Sequence, residues 1–355
     1  TLGKTATLNL RHEVTNGANA SGENTIAGVT WTPRGGTDVR AATDMLTNEN
    51  GRRLGATVGV DQIWRINKAW TASGGLARRA NIDGDDEILE VTPDAALGPL
   101  EDGVRSPLTA AEQYTSAYVG LGYQADNMAA SGRIERRDST SGRRLVAVLG
   151  GAREITETLS FSVAGRHQKE HLDAQSDREQ TDLRIGAAWR PRGEGLILIN
   201  RFDLGHRATH SEENRSKIVN NLTVNAMLNK RTQVAAYHGI KRVKTDFAGA
   251  SAKGITNLLG GELRHDVTER FDIGLHATWT SGDATKTSAW SYGPSIGVSP
   301  EKNIWVSAGW NVEGFDDEDF EAARYSSVGP YIKLRAKFDQ NSVKGLIRKL
   351  GLGAD

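Results

Sequence analysis

Apolar and charged residues alternate strictly along Gly329-Pro-Tyr-Ile-Lys-Leu-Arg-Ala-Lys-Phe338. Successive side chains of an extended chain point to opposite faces, so Ile332, Leu334, Ala336 and Phe338 share one face and Tyr331, Lys333, Arg335 and Lys337 the other. The pattern recurs upstream. Leu183, Ile185, Ala187 and Trp189 alternate with Asp182, Arg184 and Arg190, and the sets Phe271, Ile273, Leu275, Ala277, Trp279 and Ile304, Val306, Ala308, Trp310, Val312 repeat it. A soluble β-sandwich or propeller shows such alternation locally; no blade-length repeat speaks for a propeller. Segments of about ten alternating residues, separated by turn residues along a whole chain, predict a transmembrane β-barrel.

Turn chemistry organises these segments. Tight connections fall at Pro33–Gly36, Ile66–Ala69, Gln124–Asn127, Glu154–Glu157, Pro191–Glu194, Leu228–Arg231, Val267–Arg270 and Ser299–Lys302. Longer polar stretches lie between them, at 15–24, 47–52, 83–111, 138–143, 172–179, 207–215, 247–253, 282–288 and 315–326. Short turns at one end and long loops at the other are how outer-membrane barrels are built. The expected fold is therefore all-β: a single closed antiparallel barrel of about 18 strands over residues 1–338, with both chain ends on the short-turn, periplasmic side. Residues 339–355 are expected as a periplasmic tail, where Val343, Leu346, Ile347, Leu350 and Leu352 recur at near-helical spacing. One strand fits badly: Asn200 falls with Leu198 and Phe202, which calls for a bulge or a position at the rim.

Composition narrows the class further. Only 37% of residues are hydrophobic and no run of eighteen is apolar, which excludes membrane-spanning helices but suits a barrel, apolar at alternate positions only. Lys plus Arg balance Asp plus Glu at 44 each, and the charges are scattered, so no nucleic-acid footprint is present. The absence of cysteine removes disulfides and thiolate metal sites. The chain starts at Thr1 without a leader, as a processed or excised exported segment would.

With the strands placed, several motifs resemble one family: the C-terminal outer-membrane β-barrel domain of large Gram-negative surface proteins carrying immunoglobulin-like repeat arrays. They are Trp189-Arg-Pro-Arg192, Ile199-Asn-Arg-Phe-Asp203, Lys217-Ile-Val-Asn-Asn221, the run Glu262–Gly274, and Gly309-Trp-Asn-Val-Glu-Gly-Phe-Asp-Asp-Glu-Asp-Phe320 followed by Gly329–Gln340. The resemblance covers about residues 180–340. It implies an outer-membrane anchor or translocator for a larger surface or envelope protein, with covalently linked repeat domains upstream, and it supplies no catalytic residues. The alternative is a passive porin-like channel for small polar solutes. Expected partners are outer-membrane lipid and lipopolysaccharide and the barrel-assembly machinery.

The loop at 83–111 is the longest and holds eight carboxylates from Asp83 to Asp102 with no Lys or Arg. As the third long loop it sits where general porins narrow their pore. Folded inward, it would set Asp85, Asp86, Glu87 and Glu90 against lumen arginines Arg133, Arg166, Arg184, Arg264 and Arg335, creating a transverse field. The other reading is a solvated extracellular loop. Asp83–Glu87 and Asp316–Asp319 could hold calcium but lack the spacing of a twelve-residue calcium loop; acidic surface without an ion is the alternative. The eight histidines show no metal-ligand spacing and no nucleophile elbow accompanies them, so neither an enzyme nor a cofactor is expected.

Tyr331, Leu334 and Phe338 make up an expected assembly signal, an alternating last strand ending on an aromatic. Phe338→Ala should lower the amount inserted into the outer membrane, measured by quantitative blotting of membrane fractions, with the detergent-refolded protein unchanged in stability.

Overall fold

The computed structural model describes residues 5–16, 21–48, 51–84, 113–173, 176–192, 195–209, 213–247, 249–284, 286–301, 304–315, 317, 319–323 and 328–336. Eighteen strands belong to one sheet: β1 Ala6–Asn16, β2 Ser21–Arg34, β3 Thr37–Asn48, β4 Gly51–Arg65, β5 Trp70–Asp83, β6 Tyr114–Ala125, β7 Met128–Ser139, β8 Gly142–Thr156, β9 Leu159–Leu172, β10 Arg178–Trp189, β11 Leu196–Thr209, β12 Glu213–Asn229, β13 Thr232–Phe247, β14 Ala250–Asp266, β15 Phe271–Gly282, β16 Thr287–Glu301, β17 Ile304–Asn311 and β18 Gly329–Ala336. A 3-10 turn, Glu321–Ala323, lies between the last two. The chain forms two compact units. The first contains Thr1–Arg153, Val163–Leu183 and His206–Asn214; the second contains Glu154–Ser162, Arg184–Gly205 and Arg215–Asp355.

In the first unit β1 to β8 run as an antiparallel meander, each strand paired with the next. Directly opposed residues share a face, so the register sorts the side chains. Thr30, Arg40, Asp61, Tyr118, Glu135 and Arg137 fall on one face, and Val29, Val60, Leu76, Val119 and Ile134 on the other. In the second unit β13 to β18 form a second meander with the same division. Lys241, Leu258, Glu262, Arg264, His276 and Lys333 lie on its polar face, and Leu259, Leu263, Leu275, Ile296, Val306 and Ile332 on its apolar face.

Burial is inverted relative to a water-soluble sheet. Leu76 is 66%, Leu275 58% and Ile332 80% exposed, whereas Arg79 is 3%, Asp272 6% and Glu135 6% exposed. The alternation that marked these strands in the sequence thus separates a bare hydrocarbon face from a closely packed polar one. Glycines make room for that packing. An added Cβ at Gly75 would come within 2.4 Å of the Tyr118 ring, and one at Gly309 within 2.4 Å of the Tyr331 ring, each directly across the ladder.

Strand number and the short turns match the expectation, but most of the long loops do not. The stretches expected as loops at 47–52, 138–143 and 247–253 are taken up by the strands. β3 ends at Asn48 and β4 begins at Gly51; β7 and β8 are joined by 140–141, β13 and β14 by 248–249. Polar residues there alternate as regularly as the apolar ones below, and cross-strand pairing continues through them. Only 84–113 and 312–328 remain long. The Asn200 amide and that of Asn220 exchange hydrogen bonds at 3.2 and 3.0 Å. Two amides that satisfy each other can stand on an apolar face at little cost.

The exposed apolar face generates a prediction. The protein should be monodisperse only in detergent or lipid and should migrate on unheated gels as a compact species that heating converts to the full-length mobility. Clean behaviour in detergent-free buffer would contradict it.

Candidate functional site

The second unit carries its largest buried side chain outside any strand. After β17 the chain runs beside β16, where Tyr292 and Glu313 form an isolated bridge, and then folds onto the polar faces of β11 to β14. Phe320 and Ala323 are fully buried there against Val219 and Leu258, with Tyr237, Phe315 and Ala322 packed around them. This is an apolar island on an otherwise polar face. Gly239 floors it: a Cβ at that position would lie 2.5 Å from the Phe320 ring. The 3-10 turn holds the aromatic in place, with Phe320 N–H donating to the Asp317 carbonyl at 3.1 Å and Ala323 N–H to the Phe320 carbonyl at 3.0 Å.

Charge fixes the rim of the island. Lys241 Nζ donates to Asp317 Oδ2 at 2.5 Å and lies 3.4 Å from Asp319 Oδ2, and Lys217 pairs with Asp319 Oδ1. The Asp319 carbonyl accepts from Asn221 Nδ2 at 3.1 Å and from an Arg201 Nη at 3.4 Å. Arg201 in turn binds Asp203 at 2.8 Å, and Arg184 binds the other oxygen of Asp203 at 2.5 Å. Burial pushes the Asp319 carboxyl up, but hydrogen bonds and charge from Lys217 and then Lys241 outweigh it and hold the group below the usual aspartate range. Lys241 also stands 5.3 Å from the centre of the Phe320 ring, within cation–π reach.

The polar face of the first unit is braced differently, by a row of arginines and carboxylates running across strands. Arg40 binds Asp61, whose other oxygen accepts from Tyr118 Oη at 2.7 Å. Arg133 stacks 3.6 Å over the Tyr118 ring and donates to Glu135 at 2.7 Å. Arg79, 3% exposed, is held by Asp44 through two contacts of 3.2 and 2.5 Å.

The residues singled out from sequence distribute unevenly over these features. Asp85, Asp86, Glu87 and Glu90, with most of the acidic loop, lie outside the described residues, as do Phe338 and the tail 339–355. Arg133 stands in the first unit's charged row, and Arg166 hydrogen-bonds Gln168 there. Arg184 belongs to the chain of ion pairs ending at Asp319, whereas Arg264 pairs with Asp272 at 2.8 Å. Arg335 lies in β18 opposite Trp305. Leu334 is 69% exposed on the apolar face, and Tyr331 packs edge-on against His276. Of the acidic run at 316–319, expected as calcium ligands or as solvated surface, Asp317 and Asp319 are instead paired with lysines from two strands, and Asp316 and Glu318 lie outside the described residues. Among the described residues no group of three or more His, Asp or Glu could hold a metal. The docked segment was missed as a site, because Asp319 and its lysine partners lie 78 and 102 residues apart in the chain.

The chain is thus an all-β protein of eighteen antiparallel strands with one bare apolar face and one braced polar face. No family model and no curated protein matches it. Similar solved structures are bacterial outer-membrane proteins. The loop L8 deletion mutant of OmpT from Vibrio cholerae shares 11% identity, with a TM-score of 0.37 over 82% of this chain and 99% of that one. The anion-selective porin from Comamonas acidovorans shares 13%, with a TM-score of 0.33 over 72% and 98%. The FrpB iron transporter from Neisseria meningitidis shares 11%, with a TM-score of 0.46 over 96% and 67%.

Two outcomes test the docked segment. Gly239→Val should expel the Phe320 ring, and Phe320→Ala should weaken docking by about 3 kcal/mol. Fluorine NMR of a 4-fluorophenylalanine at position 320 should show a buried resonance in the parent and a solvent-like one in Gly239→Val. Acidification should have the same effect. Because the native carboxyl of Asp319 is lowered, its contribution is complete above the ordinary aspartate pKa of about 3.9 and is lost as pH falls through the lower native value. A resonance unmoved through that range would show that the ion pairs do not hold the segment.

Proposed function

We propose that this chain is an outer-membrane β-barrel, closed by pairing of β1 with β18, that anchors a larger surface or envelope protein and is obstructed by its own last loop. The carrying observation is the docking of Phe320, Asp317 and Asp319, an aromatic and two lysine-paired aspartates laid over the polar face of the second unit. An open diffusion pore has no use for a loop fastened to its wall by both apolar burial and ion pairs. A linked passenger needs a rigid, sealed anchor.

Membrane placement is supported by the bare apolar face and its aromatic borders. On β15, Phe271 and Trp279 stand at either end of the apolar stretch, eight residues apart. At ~3.4 Å per residue and a tilt of ~40° this is roughly 20 Å along the membrane normal, close to the ~25 Å apolar band of such barrels. Trp70 packs on Tyr123 with ring centroids 4.8 Å apart, and Trp279 on Trp290 at 6.3 Å, as interfacial girdles require. Closure follows from the same face, because unpaired edges on β1 and β18 would leave backbone N–H and C=O groups bare in hydrocarbon. The short turns then fall on the periplasmic side together with both chain ends.

The porin-like reading keeps one observation in its favour, the charged polar face of the first unit, which would suit a water-filled lumen. Planar bilayers separate the two. The anchor reading expects a small or absent conductance that rises in Phe320→Ala and Gly239→Val, whereas a large steady conductance indifferent to both would establish the channel. Closure is tested independently. The parent has no cysteine, so cysteines placed pairwise at Leu8 or Leu10 and at Ile332 or Leu334 should form a disulfide for one pairing. If no pair cross-links, the sheet is open at that seam.

A further inference from the structure

The register orders the apolar face of the second unit into rows that change character along the strands. Leu263 on β14 stands opposite Leu275 on β15, and two rows nearer the β13–β14 hairpin Leu259, Trp279 and Trp290 form one row across β14, β15 and β16. In the following row Asn257, Ser281 and Ser288 take their place. A passage from aliphatic through aromatic to amide and hydroxyl side chains marks where an apolar band ends. β13 and β14 continue past that border on the same face. Arg242 opposes Ile255 one row beyond it, and Lys244 opposes Lys253 one row further. Arg242 and Lys253 are exposed; Lys244 is oriented by Asp246 at 2.5 Å and keeps 44% of its side chain exposed. Successive rows lie about 5 Å apart along the membrane normal, at ~3.4 Å per residue and a tilt of ~40°. Arg242 thus stands roughly 10 Å, and the lysine pair roughly 15 Å, beyond the aromatic row.

We propose that Arg242, Lys244 and Lys253 form a docking site for the headgroup of a phosphorylated glycolipid of the outer leaflet, whose acyl chains lie along Ile240, Leu259 and Leu263. The inference rests on the membrane placement and orientation proposed above, and it holds whether the chain is an anchor or a channel. Height selects the occupant. A phospholipid headgroup fills only about 5–8 Å outside the hydrocarbon, so it meets Arg242, whose long side chain reaches toward it, and leaves both lysines unused. Sugars that carry more than one phosphate span both levels. The Arg242 fork takes two oxygens of one phosphate, and a second phosphate between Lys244 and Lys253 offsets the repulsion of two like charges directly opposed on adjacent strands. Continuity with the apolar face makes the ligand a lipid: Ile240 is 40% and Leu259 58% exposed on the same face, directly below the cations, and a free phosphate has no use for them.

The test is native mass spectrometry of the full chain, incubated in detergent with diphosphorylated lipid A, with its dephosphorylated form or with phosphatidylglycerol. Saturable retention of the diphosphorylated form is expected, weakened about tenfold or more when Arg242→Gln and Lys253→Gln are combined. Phosphatidylglycerol should bind more weakly and lose less in that variant. Arg270→Gln removes an exposed charge from the turn at the other end of β14 and β15 and should bind as the parent does. Heat-modifiable migration identifies variants that have kept their fold. Equal retention of the dephosphorylated form, an equal loss in Arg270→Gln, or displacement of the lipid by millimolar inorganic pyrophosphate would overturn the site. Orientation has its own readout, because the parent has no cysteine: Ala250→Cys at the hairpin should react with a membrane-impermeant maleimide on intact cells. Labelling only after permeabilisation would overturn the proposed orientation, whereas labelling from outside without selective lipid A binding would overturn the lipid site alone.

Discussion

Every other feature depends on a reversal of the usual solvent constraint. In water a sheet hides its apolar face and leaves its charges outside; here Leu76, Leu275 and Ile332 are bare while Arg79, Glu135 and Asp272 are buried. Hydrocarbon on one side cannot solvate a backbone or a charge, so the backbone must pair within the sheet and the polar residues must satisfy one another on the remaining face. The strand ladders, the arginine–carboxylate rows and the glycine–tyrosine contacts are consequences of that requirement.

The two units meet it by different means. In the first, guanidinium groups, tyrosines and carboxylates interlock across strands, as in Arg40–Asp61–Tyr118 and Arg133–Glu135. In the second, a loop is drawn onto the face, bringing Phe320 to apolar residues that otherwise would stand among charges and bringing Asp317 and Asp319 to lysines on β12 and β13. The apolar contact and the ion pairs depend on each other: Gly239 leaves space for the ring, and the ring's burial strengthens the surrounding ion pairs by lowering the local dielectric.

Paired charges of this kind constrain function as much as stability. A polar face whose charges are already engaged presents few free groups to a solute.

Alternation determined the all-β class and the facing of nearly every side chain, because a period of two leaves no freedom once the strand is extended, and turn chemistry gave the strand number. The assignment of Phe271, Ile273 and Leu275 to one face, and of Arg264 to the other, needed no structure. Loop lengths were misjudged at 138–143 and 247–253, where polarity resembled a loop although pairing continues through it. The reciprocal amide pair of Asn200 was not legible because its partner, Asn220, is twenty residues away and local pattern cannot reveal it. The docking of Phe320 on Gly239, and of Asp319 on Lys217 and Lys241, was likewise beyond the sequence. Those groups lie 78 to 102 residues apart, and which loop returns to which wall is decided by long-range packing energy, for which no periodicity leaves a mark.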